Sequence, residues 1–451
     1  MNILPDSASI LVTENCNLRC TYCFEHHNDA KMSEEVAEQA LYFLAHNAVK
    51  NNNDTFHAMI FGGEPLLNID IIEYIFKRGL EIADELHVRF TSNIITNATV
   101  MNDHIFSVLK KYRDLVDLNI QLSVDGIQEV QDRYRVTING KGSFHMVEKN
   151  IPRFQEIYDN NPDDRRLSIH GCVNHDTLPQ LYNGYRFFKD ILHFKQIWFL
   201  AIAEEDWTDD DVILYREECQ KIYNDIIHDI RQQNNISIAD YYAPFDKYRF
   251  CGQPMSLPCS AGRNYVTITA AGEIYPCHQI YFNDPDKTTK IGDIWNGVDD
   301  DKRRIFLEYS CDDISPCNQC NNTNCYRCLA ANWMINGSIL SPITGKHCAM
   351  AAIENEFQNK LKEEIEIMSL FSQTSTDCLC NMRDGNIPVM YNQDHCQSGN
   401  NPDNPDCLCD VRTVNQTQEP KENIIYDALE LIIQQLEDLR QSVEELKRMK
   451  S

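Results

Sequence analysis

Apolar and polar positions change period repeatedly along the first two hundred residues. Short runs rich in β-branched and aromatic residues at 9–13, 56–61, 87–92, 118–124, 167–173 and 196–201 predict six strands. Between them, segments 34–50, 69–86, 103–112, 144–157 and 177–191 carry apolar residues at three- and four-residue spacing and predict helices. Six strands separated by helices predict an α/β fold with a parallel sheet. Such a sheet curls into a full or partial (β/α)6 TIM-type barrel with its chemistry at the strand C-termini.

A further helix is expected over 208–233, followed by an aromatic-rich connection at 241–245. From Cys251 to Cys348 the chain is dense in cysteine with little material for an apolar core, as in segments folded around metal. A helical stretch beyond Glu354 leads into 374–418, rich in Asn, Asp and Pro, which holds Cys378, Cys380, Cys396, Cys407 and Cys409 and reads as a linker. Residues 422–450 repeat apolar positions at three and four spacing, an amphipathic helical tail. The expected division is a barrel over 1–235, a Cys-rich domain over 236–352, a helix and Cys-containing linker over 353–421, and a terminal helix over 422–451.

Nineteen cysteines in 451 residues, without a basic and apolar leader, argue for metal binding in the cytoplasm rather than a secreted disulfide scaffold. No apolar run is long enough to span a bilayer. A formal charge of −27 disfavours a broad nucleic-acid surface. Neither nucleic acid nor membrane is therefore an expected partner.

The chemistry concentrates first in C-x3-C-x2-C, formed by Cys16, Cys20 and Cys23 after the first strand. Structural zinc prefers two pairs or a set of four ligands, and this spacing is neither. Three thiolates on a four-iron cluster leave one iron open to an exogenous ligand. Gly62-Gly63-Glu64-Pro65 follows the second strand, with paired glycines for close approach and a carboxylate for an amine. A polar run, Thr91, Ser92, Asn93, Thr96 and Asn97, is expected after the third strand, and Ser123-Val124-Asp125-Gly126 after the fourth.

Together these motifs resemble the radical S-adenosylmethionine (radical SAM) enzymes. The resemblance implies a partial six-stranded barrel in which Cys16, Cys20 and Cys23 hold a 4Fe-4S cluster whose open iron is chelated by S-adenosylmethionine. By the same resemblance Gly62, Gly63 and Glu64 receive the methionyl amine, Ser123 and Asn97 contact carboxylate or ribose, and Phe24 lies near the adenine. Arg135 pairs with the methionyl carboxylate or is an ordinary solvated arginine.

The second domain resembles the SPASM extension, with Cys259, Gly272 and Cys277 matching its opening pattern and a hairpin turn at Gly272-Glu273. The resemblance implies two auxiliary 4Fe-4S clusters, three in all. Cys251, Cys259, Cys277 and Cys328 are assigned to one, and Cys317, Cys320, Cys325 and Cys348 to the other. Cys311 either replaces Cys251 or is a plain buried thiol.

The resemblance further implies hydrogen abstraction by a 5′-deoxyadenosyl radical. Sulfatase-maturing members carry an acid after the cysteine matching Cys277, whereas here His278 follows, as in maturases of Cys-rich ribosomal peptides. The expected activity is a thioether or related crosslink from Cys in a ribosomally made peptide, with His278 as catalytic or structural neighbour of a cluster. Formylglycine formation and a non-catalytic iron-sulfur electron carrier or scaffold are the alternatives. Reduced flavodoxin or ferredoxin is the expected electron donor. Leader recognition falls to a separate protein or to the C-terminal segment, since little chain precedes Cys16.

Overall fold

The computed structural model describes residues 3–161, 164–232, 259–320, 322, 325 and 328–372. Cys251, the 241–245 connection, the tail cysteines, the 374–418 linker and the 422–450 helix lie outside the described residues. Six parallel strands, β1 (Ser7–Leu11), β2 (Thr55–Phe61), β3 (Arg89–Thr96), β4 (Asn119–Ser123), β5 (Leu167–Val173) and β6 (Gln196–Ala201), carry the first half of the fold. They alternate with α1 (Glu34–Asn51), α2 (Ile69–Leu86), α3 (Asp103–Tyr112), α4 (Gln128–Tyr134), α5 (Phe144–Ile157) and α6 (Leu181–Arg186), and α7 (Asp209–Gln232) follows β6.

Capping chemistry starts the helices where expected: Ser33 accepts from Val36 N ahead of α1, and Asn102 from Ile105 N ahead of α3. Along the strands one face is aliphatic and buried, as with Phe56, Ala58 and Ile60 of β2 and Ile120 and Leu122 of β4, and packs on the helices. The opposite face of β2 to β5 is only half-buried and largely polar, with His57, Gln121, Ser168 and His170 upon it. That alternation is the period-two pattern of a sheet with a dry outer face and an accessible inner one.

The sheet continues beyond β1. Strands β7 (Tyr265–Ile268), β8 (Glu273–Tyr275), β9 (Gly292–Asp293) and β10 (Gly297–Val298) extend it in the order β10-β9-β8-β7-β1-β2-β3-β4-β5-β6, with β7 parallel to β1. Gly272, at φ +77°, turns β7 into β8. The sheet does not close on itself, so the barrel is partial.

Four more helices are α8 (His278–Asn283), α9 (Arg304–Glu308), α10 (Leu329–Asn336) and α11 (Lys346–Ser372). Helix α11 crosses the expected boundary at 352/353 and packs on α7, where Tyr215 Oη donates to Glu354 and Arg216 pairs with Glu356 at 2.7 Å. Among the described residues no helix is long and apolar enough to cross a membrane.

Two local expectations change. Strand β3 runs from Arg89 to Thr96, past the expected end at 92, so of the polar run Thr91, Ser92, Asn93 and Thr96 lie within it and only Asn97 follows it. Ser92 Oγ donates to Ala58 O at 2.7 Å, while the His57 ring bonds to Thr91 Oγ1 (2.9 Å) and Asn93 Oδ1 (2.7 Å). The single helix expected over 177–191 is a 3-10 turn (Leu178–Gln180), α6 and a π turn (Phe187–Ile191) in succession.

Candidate active site

The loop leaving β1 puts Cys16, Cys20 and Cys23 at the C-terminal edge of the sheet. Cys23 N donates to Cys20 O (3.1 Å), so the C-x2-C segment closes as a turn. Cys320 N bonds to Cys317 O (3.2 Å) in the same way. Leu18 N points at Cys16 Sγ (3.4 Å), and Asn97 Nδ2 approaches it at 3.8 Å. Burial, reinforced by nearby carboxylates, pushes Cys16 and Cys23 up to about 12 and raises Cys20 as well.

The turn after β2 fits against this loop without a gap. A β-carbon on Gly62 would stand 2.2 Å from Thr13 O, and one on Gly63 2.1 Å from Asn15 O. Glu64 N donates to Asn15 O (2.9 Å). The Glu64 side chain is fully buried and accepts from Leu66 N (3.1 Å), Thr96 Oγ1 (2.7 Å) and Asn97 N (2.7 Å), tying β2 to the end of β3. Desolvation raises its carboxyl to about 7.

Asn97 is spoken for on both sides, its Nδ2 donating to Asn17 Oδ1 (3.0 Å) and its Oδ1 accepting from Thr99 N (3.0 Å). Ser123 ends β4 half-buried, and its hydroxyl has no partner among the described residues. Arg135 is buried rather than solvated. Its Nε lies 3.0 Å from Asp125 Oδ1 but off the hydrogen-bond direction, so the charges pair while that N–H stays unpaired. Asp125 also accepts from Tyr22 Oη and from Cys172 N (3.0 Å), and the Arg135 guanidinium lies over the Tyr22 ring at 5.5 Å.

In the second domain Cys259, Cys277 and Cys328 lie within electrostatic range of one another. Each sulfur faces a backbone N–H: Ala261 N at 3.5 Å, Ile280 N at 3.5 Å and Ala331 N at 3.4 Å, the last two at the starts of α8 and α10. Arg263 is near Cys259, and its Nη1 is buried without a hydrogen-bond partner. Cys311 is fully buried beside Tyr309 Oη (3.0 Å). Cys348 sits in the first turn of α11, donating to Ile343 O at 3.7 Å. Gln279 Oε1 accepts from Cys328 Sγ (3.5 Å).

His278 brings the two regions together. Its ring lies against Phe61 (4.4 Å between centroids) and Phe24 (6.0 Å), and Nδ1 meets Ser9 Oγ and Tyr265 Oη, each at 3.2 Å. Burial pushes the imidazole down to about 4, so it is neutral at neutral pH.

None of the described cysteines is in a disulfide, and no three His, Cys, Asp or Glu side chains among the described residues converge on a single ion. A cuboidal cluster holds its thiolates apart by its own width, so the donor chemistry decides the fit. Thiols in adjacent turns, N–H groups aimed at sulfur and the unpaired cationic N–H of Arg263 suit anionic iron-sulfur clusters. The unpaired Nε of Arg135 and the open hydroxyl of Ser123 suit a polar, carboxylate-bearing cofactor.

Residues without an expected role also stand at the site: Tyr22, Asp125 and Cys172, the buried acid Glu14 and the half-buried Glu25. Asp125 was visible in S-x-D-G. Glu14 and Glu25 are signalled only as acids flanking the cysteine triplet, since their burial depends on the fold.

Residues 10–165 match the radical SAM superfamily, an enzyme superfamily, so the chain carries a radical SAM domain. Residues 259–326 match the SPASM iron-sulfur cluster-binding domain, a second domain beside the first. The cysteine-type anaerobic sulfatase-maturating enzyme of Clostridium novyi is 29% identical over 194 residues, 41% of this chain and 48% of that one. The radical SAM cyclopropyl synthase TigE of Paramaledivibacter caminithermalis is 22% identical over 281 residues, 58% and 53% of the two chains. The chain thus spans about half the length of these curated relatives. The solved structure of anSMEcpe with bound AdoMet and Cp18Cys peptide shares the fold, with a TM-score of 0.61 at 21% identity over 81% of this chain and 99% of that one.

Proposed function

We propose that this chain is a cytoplasmic peptide maturase that forms a thioether or related crosslink from a Cys side chain of a ribosomally made peptide. The observation that carries the proposal is His278, which stands beside the auxiliary-cluster cysteine Cys277 yet packs on Phe24 of the 16–23 loop and Phe61 of β2. Cys16, Cys20 and Cys23 would hold the first 4Fe-4S cluster. Cys251, Cys259, Cys277 and Cys328, and then Cys317, Cys320, Cys325 and Cys348, would hold two more. When bound, these groups and S-adenosylmethionine supply a radical that removes hydrogen from a substrate carbon, and an acceptor for the surplus electron.

The chain's own residues prepare the site. Gly62 and Gly63 leave room for the 16–23 loop, Ser123 and Arg135 would offer donors to the methionyl and ribose oxygens, and Phe24 would lie near the adenine. His278 stays uncharged with Nδ1 against Ser9 Oγ and Tyr265 Oη, and as a weak base it would orient a substrate thiol whose proton leaves to solvent. Crosslinking removes that proton, one hydrogen atom and one electron from the peptide. Reduced flavodoxin or ferredoxin is the proposed donor, and a separate protein or the C-terminal segment would recognise a leader. Domain limits at 235/236, 352/353 and 421/422 belong to the same proposal.

The sulfatase-maturing relative and the peptide in the anSMEcpe structure favour a second reading, oxidation of Cys or Ser to formylglycine. Mass spectrometry of a short Cys-rich peptide co-expressed with the chain separates the two. In a peptide whose serines are replaced by alanine, loss of two hydrogens per modification supports a crosslink, whereas loss of sulfur with gain of oxygen supports formylglycine from Cys.

A further inference from the structure

Two arginines serve the turn that begins at Cys259, and they are unequally matched. The backbone of the turn is fixed: Arg263 N donates to Ser260 O (3.0 Å), and Gly262 N to Tyr265 O (2.9 Å) and to Pro276 O (3.0 Å), the carbonyl just before Cys277. Behind it the fully buried Arg303 gives Nη1 to the carbonyls of Ile3 (2.9 Å) and Arg263 (3.2 Å). Arg303 leaves Nη2 unpaired, but its charge is matched by Asp300, 2.7 Å from Nε. Arg263 has no such match: among the described residues no carboxylate pairs with it, and its Nη1 is buried without an acceptor.

Among the described residues the group that Arg263 interacts with electrostatically is Cys259, on which the SPASM match opens. Burial lowers the proton affinity of the guanidinium, yet it stays charged at neutral pH. The 16–23 loop is set differently. Its buried cation, Arg135, is matched by Asp125, and Glu14, Glu64 and Glu25 stand alongside, Glu25 with Oε2 buried and unpaired. One-electron reduction adds a negative charge to a cluster without forming or breaking a bond. An unmatched cation beside one cluster and a matched one beside another therefore separate their potentials.

We infer that Arg263 raises the reduction potential of the cluster held through Cys259, making it the site that takes the single electron left on the peptide radical once the crosslink has formed. Arg303 fixes the turn from which Arg263 acts. This rests on the proposed assignment of Cys259, Cys277 and Cys328 to an auxiliary cluster, and it adds the residue that makes that cluster an electron acceptor.

The test is a potentiometric titration, followed by electron paramagnetic resonance, of the anaerobically reconstituted full chain. The parent chain carries Cys16→Ala/Cys20→Ala/Cys23→Ala so that the first cluster does not overlap, with titanium(III) citrate as reductant and iron content as the loading control. Arg263→Met should move one couple to lower potential by a roughly tenfold or larger change in its oxidised-to-reduced ratio, about 59 mV or more for one electron, and leave any second couple in place. Arg263→Lys, which keeps the charge, should stay nearer the parent than Arg263→Met. No shift in Arg263→Met, an equal shift in Arg263→Lys, or parent clusters that titanium(III) citrate leaves oxidised overturns the inference. Should Arg263→Met load less iron than the parent, Arg263→Gln takes its place and must show the same downward shift. A parent chain that holds no iron overturns the auxiliary-cluster reading itself.

Discussion

A β-carbon on Gly63 would stand 2.1 Å from the carbonyl oxygen of Asn15, the residue just before Cys16. The same oxygen accepts the Glu64 N–H at 2.9 Å. The end of β2 and the start of the cysteine loop are thus fitted to each other at van der Waals limits, backbone against backbone. Gly63→Ala should force them apart, costing about 1–3 kcal/mol of stability and lowering the iron retained by the loop. Chemical denaturation and iron analysis on the same preparation measure both effects.

The Asp125–Arg135 pair is buried at the C-terminal end of β4. Asp125→Asn leaves the Arg135 charge without a counterion and should cost about 3–5 kcal/mol. Combining Asp125→Asn with Arg135→Met should recover part of that loss, because the unpaired charge is gone. Equal destabilisation by the single and double variants would contradict the pairing.

Glu64 predicts a pH dependence. Its carboxyl is raised from 4.5 to about 7 by burial, so between those values the folded protein holds a proton that the unfolded chain releases. Stability therefore falls as pH rises through this window and levels off above it, a span of roughly 3 kcal/mol. Glu64→Gln should flatten this slope. It should also cost ~1–3 kcal/mol, because the amide keeps only one acceptor oxygen and its NH2 cannot serve the donors on the other side, Asn97 N or the Leu66 N and Thr96 Oγ1 pair. Denaturant midpoints across the window provide the measurement.

Much of the barrel was legible in the sequence. Strands β5 and β6 and helices α2, α3 and α5 fall on the expected residues because their apolar periods are clean and their ends carry turn chemistry. Strand β3 extends past its expected end at Ser92, an end placed there because the polar run Thr91, Ser92 and Asn93 resembles the start of a loop. Their partners, His57 and the Ala58 carbonyl, lie on β2 and leave no local mark. Helix α4 has only Val130 and Gln131 buried, too little apolar pattern to predict a helix. The pairing of β7 with β1 joins residues more than two hundred positions apart, and no local period encodes it. At the site, motif spacing identified the cysteines and the Gly-Gly turn. Which of Glu14, Glu25 and Glu64 keeps an unpaired oxygen depends on packing alone.

Cys277→Ser tests the second domain separately. It should reduce the iron of the reconstituted chain by about one cluster of about three, while Cys16, Cys20 and Cys23 keep theirs. Unchanged iron would remove Cys277 from the ligand set.

The most direct test is the cleavage of S-adenosylmethionine by anaerobically reconstituted protein under reductant. The wild-type chain should form 5′-deoxyadenosine, and the Cys16→Ala/Cys20→Ala/Cys23→Ala variant should form none. An iron-loaded wild type that makes none with peptide present, or a triple variant that makes as much, would contradict the assignment of the 16–23 loop as the origin of the chemistry.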